Sequence, residues 1–306
     1  MSQPLVSVIC LCYNQADFVE ESIRSVLNQT YTAVELIIVD DGSTDNSREV
    51  ITQFFDIKNT QILLLDKNAG NCTAFNKGLN LAKGKYIIDL AADDLLHPNR
   101  IAVGVEALEN SADDYGVTFC DVLLIDAQTN IIGNHYKRDG ADNLLEDVPE
   151  GDIYTVLVQR YFVSAPAMMT KRRVYDVLGG YDETLSYEDF DFWVRSSRIF
   201  KYKFTDESLV SKRMLKNSLS DQQYKKGSKQ LLSTYTVCEK AFGLNKNEGE
   251  NQALLKRISY EIRQVIIIGD YEIAEKYLEL WERVTGKKPL VYQFLVLLKL
   301  KLTFLR

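Results

Sequence analysis

An apolar run that ends in two acids most constrains the fold of this 306-residue chain. Val34 to Val39 is rich in β-branched residues and leads directly into D-D-G-S at residues 40–43. Such a run is typical of a parallel strand that is buried on both faces. In open α/β sheets, ligands bind in the crevice beyond the carboxyl ends of the strands. The run therefore predicts that Asp40 and Asp41 lie at a binding edge, although a plain turn before a helix capped by Asp45 fits the same residues.

The segments around this run alternate between strand and helix patterns, which indicates a doubly wound, mostly parallel α/β sheet. Strand patterns occupy residues 5–11, 34–39, 61–65, 86–90, 117–119, 122–125 and 163–170. Helical patterns occupy residues 17–28, 45–55, 71–82, 171–178 and a segment that begins near Pro98, and residues 126–150 are predicted as loops and a hairpin.

Beyond Asp206 the composition changes, and residues 222–306 show helical patterns only. We therefore predict an α/β domain over residues 1–220 and a helical C-terminal region over residues 221–306. Residues 289–305 are apolar on nearly every side but short for a membrane span. An interfacial anchor that contacts a membrane, a contact between subunits and an ordinary packed helix all fit this segment.

Composition excludes several classes of protein. The formal net charge of -7 and the lack of a run of five basic residues argue against a nucleic-acid partner. Five cysteines without C-x-x-C spacing indicate reduced thiols rather than disulfides or a zinc site. With only two histidines and no G-x-G-x-x-G or G-K-[ST] motif, His-rich metal sites, dinucleotide oxidoreductases and P-loop enzymes lose support. The N-terminus lacks the pattern of a signal peptide, so a cytoplasmic location is expected.

Two further acidic pairs follow predicted strand ends or turns. Asp93-Asp94 comes after the strand at residues 86–90, and Glu188-Asp189 begins a helical pattern after a turn at Gly179-Gly180. Acids at a helix start can simply complement the helix dipole, which is the alternative interpretation for the second pair. Three acidic sites near one sheet edge suit group transfer from a nucleotide-activated donor better than hydrolysis by two carboxylates.

Four motifs occur in the order typical of one family of enzymes. They are V-S-V-I-C-L-C-Y-N at Val6–Asn14, V-D-D-G-S-T-D at Val39–Asp45, A-A-D-D followed by Pro at Ala91–Pro98, and G-G-Y-D-E…E-D at Gly179–Asp189. Over roughly residues 4–220 the chain resembles the family 2 glycosyltransferases of the GT-A fold. The resemblance implies an inverting transfer of a hexose or N-acetylhexosamine from a nucleotide sugar, with a UDP-sugar favoured. The implied acceptor is a hydroxyl of a glycan or a lipid-linked saccharide, and the implied setting is polysaccharide biosynthesis in the cytoplasm or peripherally at the inner face of the membrane.

The resemblance also assigns roles to residues of this chain. The donor nucleotide is expected to contact Tyr13, Asn14, Asp40, Asp41, Asp94 and Arg213, with stacking by Tyr13 and acceptance of uracil N3–H by Asp41. For Arg213 the expected contact is a phosphate, and a solvated basic pair with Lys212 is the alternative. Asp93 is expected to hold Mn²⁺ or Mg²⁺ against the diphosphate.

The catalytic assignment rests on the second acidic pair. Asp189 matches the base that takes a proton from the acceptor hydroxyl, and Glu188 is expected to orient Asp189 or to bind an acceptor hydroxyl.

The chain departs from the family pattern at Ala91, Phe75 and Leu215, where an acid, an Arg and a His are usual. Without an acid at Ala91 the metal depends on Asp93 and the diphosphate. A protein that binds nucleotide or glycan without turnover is therefore an alternative. A nucleotidyltransferase is less well supported because the chain lacks a Gly-rich, basic N-terminal loop for a triphosphate.

Overall fold

The structure is a computed structural model that describes residues 3–216 and 223–288. The strands are β1 (Val6–Cys12), β2 (Val34–Asp40), β3 (Thr60–Leu64), β4 (Tyr86–Ala91), β5 (Leu95–Leu96), β6 (Tyr115–Ile125), β7 (Ile131–Asn134), β8 (Met168–Lys171) and β9 (Lys201–Arg213). The helices are α1 (Val19–Leu27), α2 (Ser47–Thr52), α3 (Asn71–Leu81), α4 (Arg100–Glu109), α5 (Tyr154–Gln159), α6 (Arg172–Leu178), α7 (Asp189–Ser197), α8 (Lys229–Leu244), α9 (Glu248–Ile267) and α10 (Tyr271–Thr285).

Within the described residues, nine strands form one sheet. Its order is β3-β2-β1-β4-β8-β6-β9-β5, and β7 pairs with β6. β1 runs parallel to β2 and β4, β2 runs parallel to β3, and β6 runs parallel to β9. β8 is antiparallel to β4 and β6. The predicted α/β class, with a mostly parallel sheet flanked by helices, is confirmed.

The central strands are covered on both faces. Val8 and Ile9 of β1 are fully buried, as are Ile37 and Ile38 of β2. Because successive residues of a strand point to opposite faces, neither face of these strands is open to water. Helix α3 packs closely on one face through Gly78, where an added Cβ would lie 2.6 Å from the Ile9 Cγ2 atom. The continuous apolar runs that predicted these strands therefore have a direct cause in two-sided burial.

One predicted strand is shorter than expected. The pattern at residues 163–170 predicted a strand, but β8 begins only at Met168, after a 3-10 turn at Ala165–Ala167. Pro166 sits at the start of this turn. Because proline has no N–H to donate to a strand ladder, the chain cannot extend the strand through it.

Three elements, β5, β9 and α5, were not predicted. The middle of β9 is polar at Asp206 and Glu207, which hides its strand pattern. Near this point the pairing register with β6 shifts, beside Cys120 and Asp121. A shifted register relaxes the alternation on which sequence prediction depends, since the extra residues have no partner in the ladder.

The chain divides into two compact units, Met1–Ile153 with Phe162–Lys216, and Tyr154–Tyr161 with Asn217–Arg306. In the second unit α5 packs on α9, where the Arg257 guanidinium carbon lies 3.9 Å from the centroid of the Tyr161 ring. The helical patterns predicted between residues 231 and 284 correspond to α8, α9 and α10, and Asp270 caps α10 by accepting a bond from Ile273 N at 3.3 Å. The segment at 289–305 lies outside the described residues.

Candidate active site

The predicted nucleotide and metal residues lie where β1, β2 and β4 end. These parallel strands are adjacent, so their carboxyl ends reach the same edge of the sheet. Backbone hydrogen bonds join the chain beyond the three strands: Asp41 N donates to Cys12 O at 2.8 Å, and Ala92 N donates to Leu11 O at 2.9 Å. The structure thus brings the first two acidic pairs to one edge, which we call the acidic edge.

Asp40 holds the turn after β2. Its side chain is fully buried, and its Oδ1 accepts from Ser43 N at 3.1 Å and from Arg48 Nε at 2.7 Å. The turn needs Gly42 at φ 76°, because a Cβ there would lie 2.4 Å from the Asn68 backbone nitrogen. These contacts give Asp40 a positioning role: it fixes the turn that carries the neighbouring Asp41.

Asp41 faces the loop that precedes α3. Its carboxylate accepts from Ala69 N at 2.7 Å and from Gly70 N at 3.0 Å. Burial nevertheless raises the pKa of Asp41, and these two N–H groups lower it in part. The carboxylate is held in a fixed direction, as recognition of a base would require.

Tyr13 and Asn14 follow β1 at the same edge. Asn14 adopts a left-handed conformation with φ 55°, which Asn tolerates better than most residues. Its amide oxygen accepts from Thr44 N at 2.8 Å, and its own N–H donates to Ser43 Oγ at 2.9 Å. Asn14 therefore ties the two loops together, and the adjacent Tyr13 ring remains 46% exposed.

Asp93 and Asp94 differ in their surroundings. Asp94 is buried and accepts from Arg213 N at 2.9 Å. Burial, with a further contribution from the charge of Asp93, raises the pKa of Asp94 to about 7. Asp93 is less enclosed, and its Oδ2 accepts a long bond of 3.5 Å from Gln15 Nε2. Burial also raises the pKa of Asp93, against the opposing charges of Lys212 and Arg213.

The Arg213 side chain is engaged by the protein itself. Its guanidinium donates to five groups, namely Asp93 O, Asp126 O, Ala127 O, Thr129 Oγ1 and Glu21 Oε2. It also lies 4.7 Å from the centroid of the Phe18 ring, and only 3% of the residue is exposed. These contacts favour a positioning role for Arg213, which fixes the backbone around Asp93 and Asp94. The phosphate contact assigned to it stays a prediction for which the structure gives no support.

Glu188 and Asp189 lie side by side at the start of α7. The Glu188 carboxylate accepts a short hydrogen bond from Asn71 Nδ2. Burial first, and then the charges of Asp189 and Asp89, raise the pKa of Glu188 well above its usual value. Because a hydrogen bond from Glu188 lowers the pKa of Asp189, we assign the shared proton to Glu188. In the described structure the buried Asp189 Oδ1 has no hydrogen-bond partner.

Asp89 joins this pair from the sheet. It lies in β4, and its Oδ2 accepts from the Tyr181 hydroxyl at 3.0 Å. Burial, opposed by that hydrogen bond and aided by the Asp189 charge, raises the pKa of Asp89 to about 7. From the sequence, Asp89 was considered only as a fallback metal ligand, although an acid inside the buried strand Y-I-I-D-L-A signals a special role.

Lys212 is a second residue without an assigned role in the sequence analysis, which gave the phosphate contact of the Lys212-Arg213 pair to Arg213. It lowers the pKa of Asp93, Asp94 and Asp189, so its charge acts on two of the three acidic pairs. Within residues 3–216 and 223–288, no hydrogen bond or salt bridge engages its side chain. Since neighbouring residues of a strand point to opposite faces, Lys212 leaves β9 on the face that Arg213 does not use.

The third acidic pair lies at the same edge, so the acidic edge also includes Glu188, Asp189 and the neighbouring Asp89. Gly70 N binds Asp41, and the next residue, Asn71, binds Glu188 through its side chain. Lys212 connects Asp189 electrostatically with Asp93. The fold therefore brings together acids that are up to 149 residues apart in the chain, between positions 40 and 189.

The carboxylates at this edge have the chemistry that a hard divalent cation prefers, but they are too few to bind one alone. Among the residues that the structure describes, no group of three or more His, Cys, Asp or Glu side chains is arranged to bind a metal alone. Mg²⁺ and Mn²⁺ prefer oxygen ligands, and Mg²⁺ usually combines one or two carboxylates with phosphates and water. Asp93, with Asp94 behind it, matches that arrangement, and the missing acid at Ala91 explains why the protein provides no complete set.

Among the described helices, none combines the length and the apolar character needed to cross a bilayer.

A mostly parallel sheet with an acidic carboxyl edge fits the GT-A class of fold, and comparison with known proteins specifies the family. The model of glycosyl transferase family 2 matches residues 7–175. An uncharacterized glycosyltransferase of Methanocaldococcus jannaschii is 30% identical over 241 residues, which cover 78% of this chain and 79% of that protein. The putative teichuronic acid biosynthesis glycosyltransferase TuaG of Bacillus subtilis is 26% identical over 234 residues, which cover 74% of this chain and 86% of TuaG. The chain belongs to glycosyl transferase family 2 and is a glycosyltransferase.

Solved structures support the fold independently. S. aureus TarS 1-349 in complex with UDP-GlcNAc has a TM-score of 0.66 at 15% identity, covering 92% of this chain and 81% of TarS. The mannosyltransferase PcManGT from Pyrobaculum calidifontis, in complex with GDP-Man and Mn²⁺, has a TM-score of 0.62 at 16% identity, covering 99% of this chain and 81% of PcManGT. At these identities the similarity concerns the fold alone.

Proposed function

We propose that this glycosyltransferase moves a sugar from a UDP-sugar to a hydroxyl of a glycan or a lipid-linked saccharide, with inversion at the anomeric carbon. The observation that carries the proposal is the Asp189 carboxylate. Its Oδ1 is buried without a hydrogen-bond partner in the described structure, and Lys212 acts both on it and on Asp93. A carboxylate with a free acceptor beside a nucleotide edge is suited to act as a general base.

Recognition of the base is assigned to Tyr13 and Asp41. The exposed Tyr13 ring can stack on a base, and each Asp41 oxygen keeps an acceptor position beyond the N–H group it already binds. Uracil presents a single N3–H, which one such position can accept. TarS was solved with UDP-GlcNAc and PcManGT with GDP-Man, so both nucleotides must be tested.

The diphosphate is assigned to the region between Asp93 and Lys212. Lys212 supplies an unpaired ammonium, and Asp93 supplies a carboxylate ligand for Mn²⁺ or Mg²⁺. When bound, the cation supplies positive charge that offsets the charge on the leaving nucleoside diphosphate. Asp94 and Arg213 hold this region in place, because Arg213 N binds Asp94 and Arg213 Nε binds Asp93 O.

Proton transfer is assigned to the Glu188-Asp189 pair. Glu188 stays protonated and donates a hydrogen bond to one Asp189 oxygen. The other oxygen, Oδ1, is left to face the acceptor. Asp189 takes the acceptor proton as the hydroxyl oxygen attacks the anomeric carbon. The bond from that carbon to the nucleoside diphosphate breaks on the opposite face, so the configuration inverts. The likeness to TuaG favours an acceptor from polysaccharide biosynthesis.

The test is calorimetric titration of nucleotide sugars with and without Mn²⁺ or Mg²⁺, combined with an assay for nucleotide release. We expect metal-dependent UDP-sugar binding and slow UDP release, and Asp93→Ala should abolish the metal dependence. Undiminished metal dependence in Asp93→Ala would move the ligand to Asp94 or Asp89.

Ala91 favours one alternative, a protein that binds without turnover, since it removes the usual acid from the metal segment. Tight binding of a nucleotide sugar without release of nucleotide, in the presence of metal and acceptors, would support that alternative. Dependence on a nucleoside triphosphate would instead indicate a nucleotidyltransferase.

A further inference from the structure

A basic cavity lies at the other end of β4, away from the acidic edge. It is formed where β4 begins at Tyr86, where the antiparallel strand β8 ends at Lys171, and where α4 ends at Glu109. β4 has six residues, so about 20 Å of strand separates this cavity from the Asp93 region. The cavity has a volume of about 250 Å³ and includes no residue of the acidic edge.

The charge of this cavity is opposite to that of the protein. The charged groups that line it are Lys85, Lys171, Arg172, Arg173, Glu109 and Asp113. Four cations face two acids, an excess of two positive charges in a chain whose formal net charge is -7. Such a local excess attracts anions, because a concave, partly desolvated surface concentrates the field.

Three of the four cations have other contacts. Lys85 Nζ lies 2.5 Å from Glu109 Oε1, Arg172 Nε lies 3.6 Å from Asp176 Oδ1, and the Arg173 guanidinium carbon lies 5.5 Å from the centroid of the Phe200 ring.

Lys171 is different. The residue is only 8% exposed, and no hydrogen bond or salt bridge to another described residue engages its Nζ. Burial, and then the charge of Arg173, lowers the pKa of Lys171, and the charges of Asp113 and Glu109 oppose this shift in part.

The aliphatic part of Lys171 is packed against the protein, while its ammonium lines the cavity and has no acceptor among the described residues. An anion in the cavity would accept from Lys171 and face Lys85 and Arg173 as well. Since a water molecule occupies about 30 Å³ in the liquid, the cavity has room for a phosphate group with several waters. Phosphate offers several oxygens to separate donors, which suits three cations arranged around one space.

We propose that this cavity is a binding site for a phosphate group, either free phosphate or a phosphomonoester, with Lys171 as its central ligand. The site is independent of sugar transfer, and its occupant reaches the protein at the amino end of β4 rather than at the acidic edge. Phosphate and the phosphomonoester headgroup of a lipid share this chemistry, and the test separates them.

The experiment uses the full chain and measures thermal unfolding and calorimetric binding in sodium phosphate against sodium chloride at equal ionic strength. Phosphate is expected to raise the melting temperature, because a ligand that binds the folded state stabilises it. Lys171→Met should weaken phosphate binding by roughly tenfold or more, as loss of a charge-assisted hydrogen bond does. Lys83→Met is the matched control, since Lys83 is an exposed lysine with the same charge change near the cavity.

Two further variants keep the proposal testable if Lys171→Met folds poorly. Lys171→Arg should retain binding, and Glu109→Gln should tighten it, because the substitution removes a negative charge and frees Lys85. Without phosphate, Lys171→Met should be at least as stable as the wild type, whereas a lysine with a structural role would make it less stable.

Vesicles that contain phosphatidic acid distinguish the source of the phosphate group. Binding to both phosphate and vesicles, lost in Lys171→Met, identifies an open site for phosphomonoesters, and binding to phosphate alone identifies a site for small anions. An equal phosphate response in the wild type and Lys171→Met overturns the proposal. So does a response that Lys212→Met removes and Lys171→Met preserves, since the anion then binds at the acidic edge.

Discussion

Replacing Asp189 by Asn removes a single function from the acidic edge. The amide is nearly the same shape as the carboxylate and keeps an oxygen that can accept the hydrogen bond from Glu188, but it cannot take a proton. General-base catalysis contributes about 10²- to 10⁴-fold to a rate. We therefore expect kcat to fall by that factor, which corresponds to about 3–5 kcal/mol in the barrier. The affinity for the donor should change little, because the base contacts the acceptor.

The same substitution has a predictable effect on stability. Burial is the main cause that raises the pKa of Asp189, so the folded protein binds this proton more tightly than the unfolded chain does. The free energy of unfolding therefore decreases as the pH rises above the unfolded pKa, which is about 4. Asn carries no charge at any pH and avoids this loss. Asp189→Asn should be at least as stable as the wild type at pH 7.5, and the difference should shrink near pH 4.

The assay combines initial rates of UDP release at saturating donor and metal with chemical unfolding at pH 7.5 and pH 4.5. Asp56→Asn, a change at an exposed acid after α2, controls for the loss of one negative charge. Low activity together with preserved donor binding and preserved stability supports the assignment. A rate near that of the wild type refutes it, since another group must then take the proton.

Three further substitutions test the neighbouring residues. Lys212→Met should weaken UDP binding by about 10- to 100-fold in calorimetry, as loss of one charge-assisted contact does, whereas Lys216→Met should have little effect. Arg213→Met should lower the free energy of unfolding by about 3 kcal/mol or more, measured in urea, because it leaves Glu21 and several carbonyl oxygens without their donor. Full stability with weaker UDP binding would instead restore the phosphate contact. Asp89, whose pKa is raised to about 7, makes stability fall as the pH rises from about 4 to 7, and Asp89→Asn should flatten unfolding curves over that window.

Local patterns were sufficient for the strands that carry the acidic edge. β1, β2 and β4 read as apolar runs because both of their faces are covered, and the acids come directly after them. β9 could not be found in this way. It pairs with β6 through shifted registers and carries polar residues where the shifts occur, so its strand character depends on its partner rather than on its own sequence.

The roles within the site show the same limit. The sequence placed Asp93 and Asp189 at one edge because each lies in a recognisable motif. It paired Lys212 with Arg213 as one basic patch, although strand geometry sends the two side chains to opposite faces. The Arg213 guanidinium donates to five protein acceptors, whereas the Lys212 ammonium has no partner in the described structure. Adjacent residues of like charge can be told apart only when their strand is known.

The charge distribution at the acidic edge makes donor and metal binding depend on each other. Asp89, Asp93 and Asp94 all have raised pKa values, and Lys212, whose charge acts on Asp93 and Asp94, is paired with no described side chain. A nucleoside diphosphate would add negative charge to a region that already disfavours it. A divalent cation would meet only one accessible carboxylate, since Asp94 is buried. Each ligand alone is therefore bound weakly, whereas together they neutralise each other and complete the coordination. It follows that metal affinity should rise when UDP is present. It should fall as the pH is lowered, because burial raises the pKa of Asp93, and that of Asp94 to about 7, so these carboxyls take up protons more readily than exposed acids do.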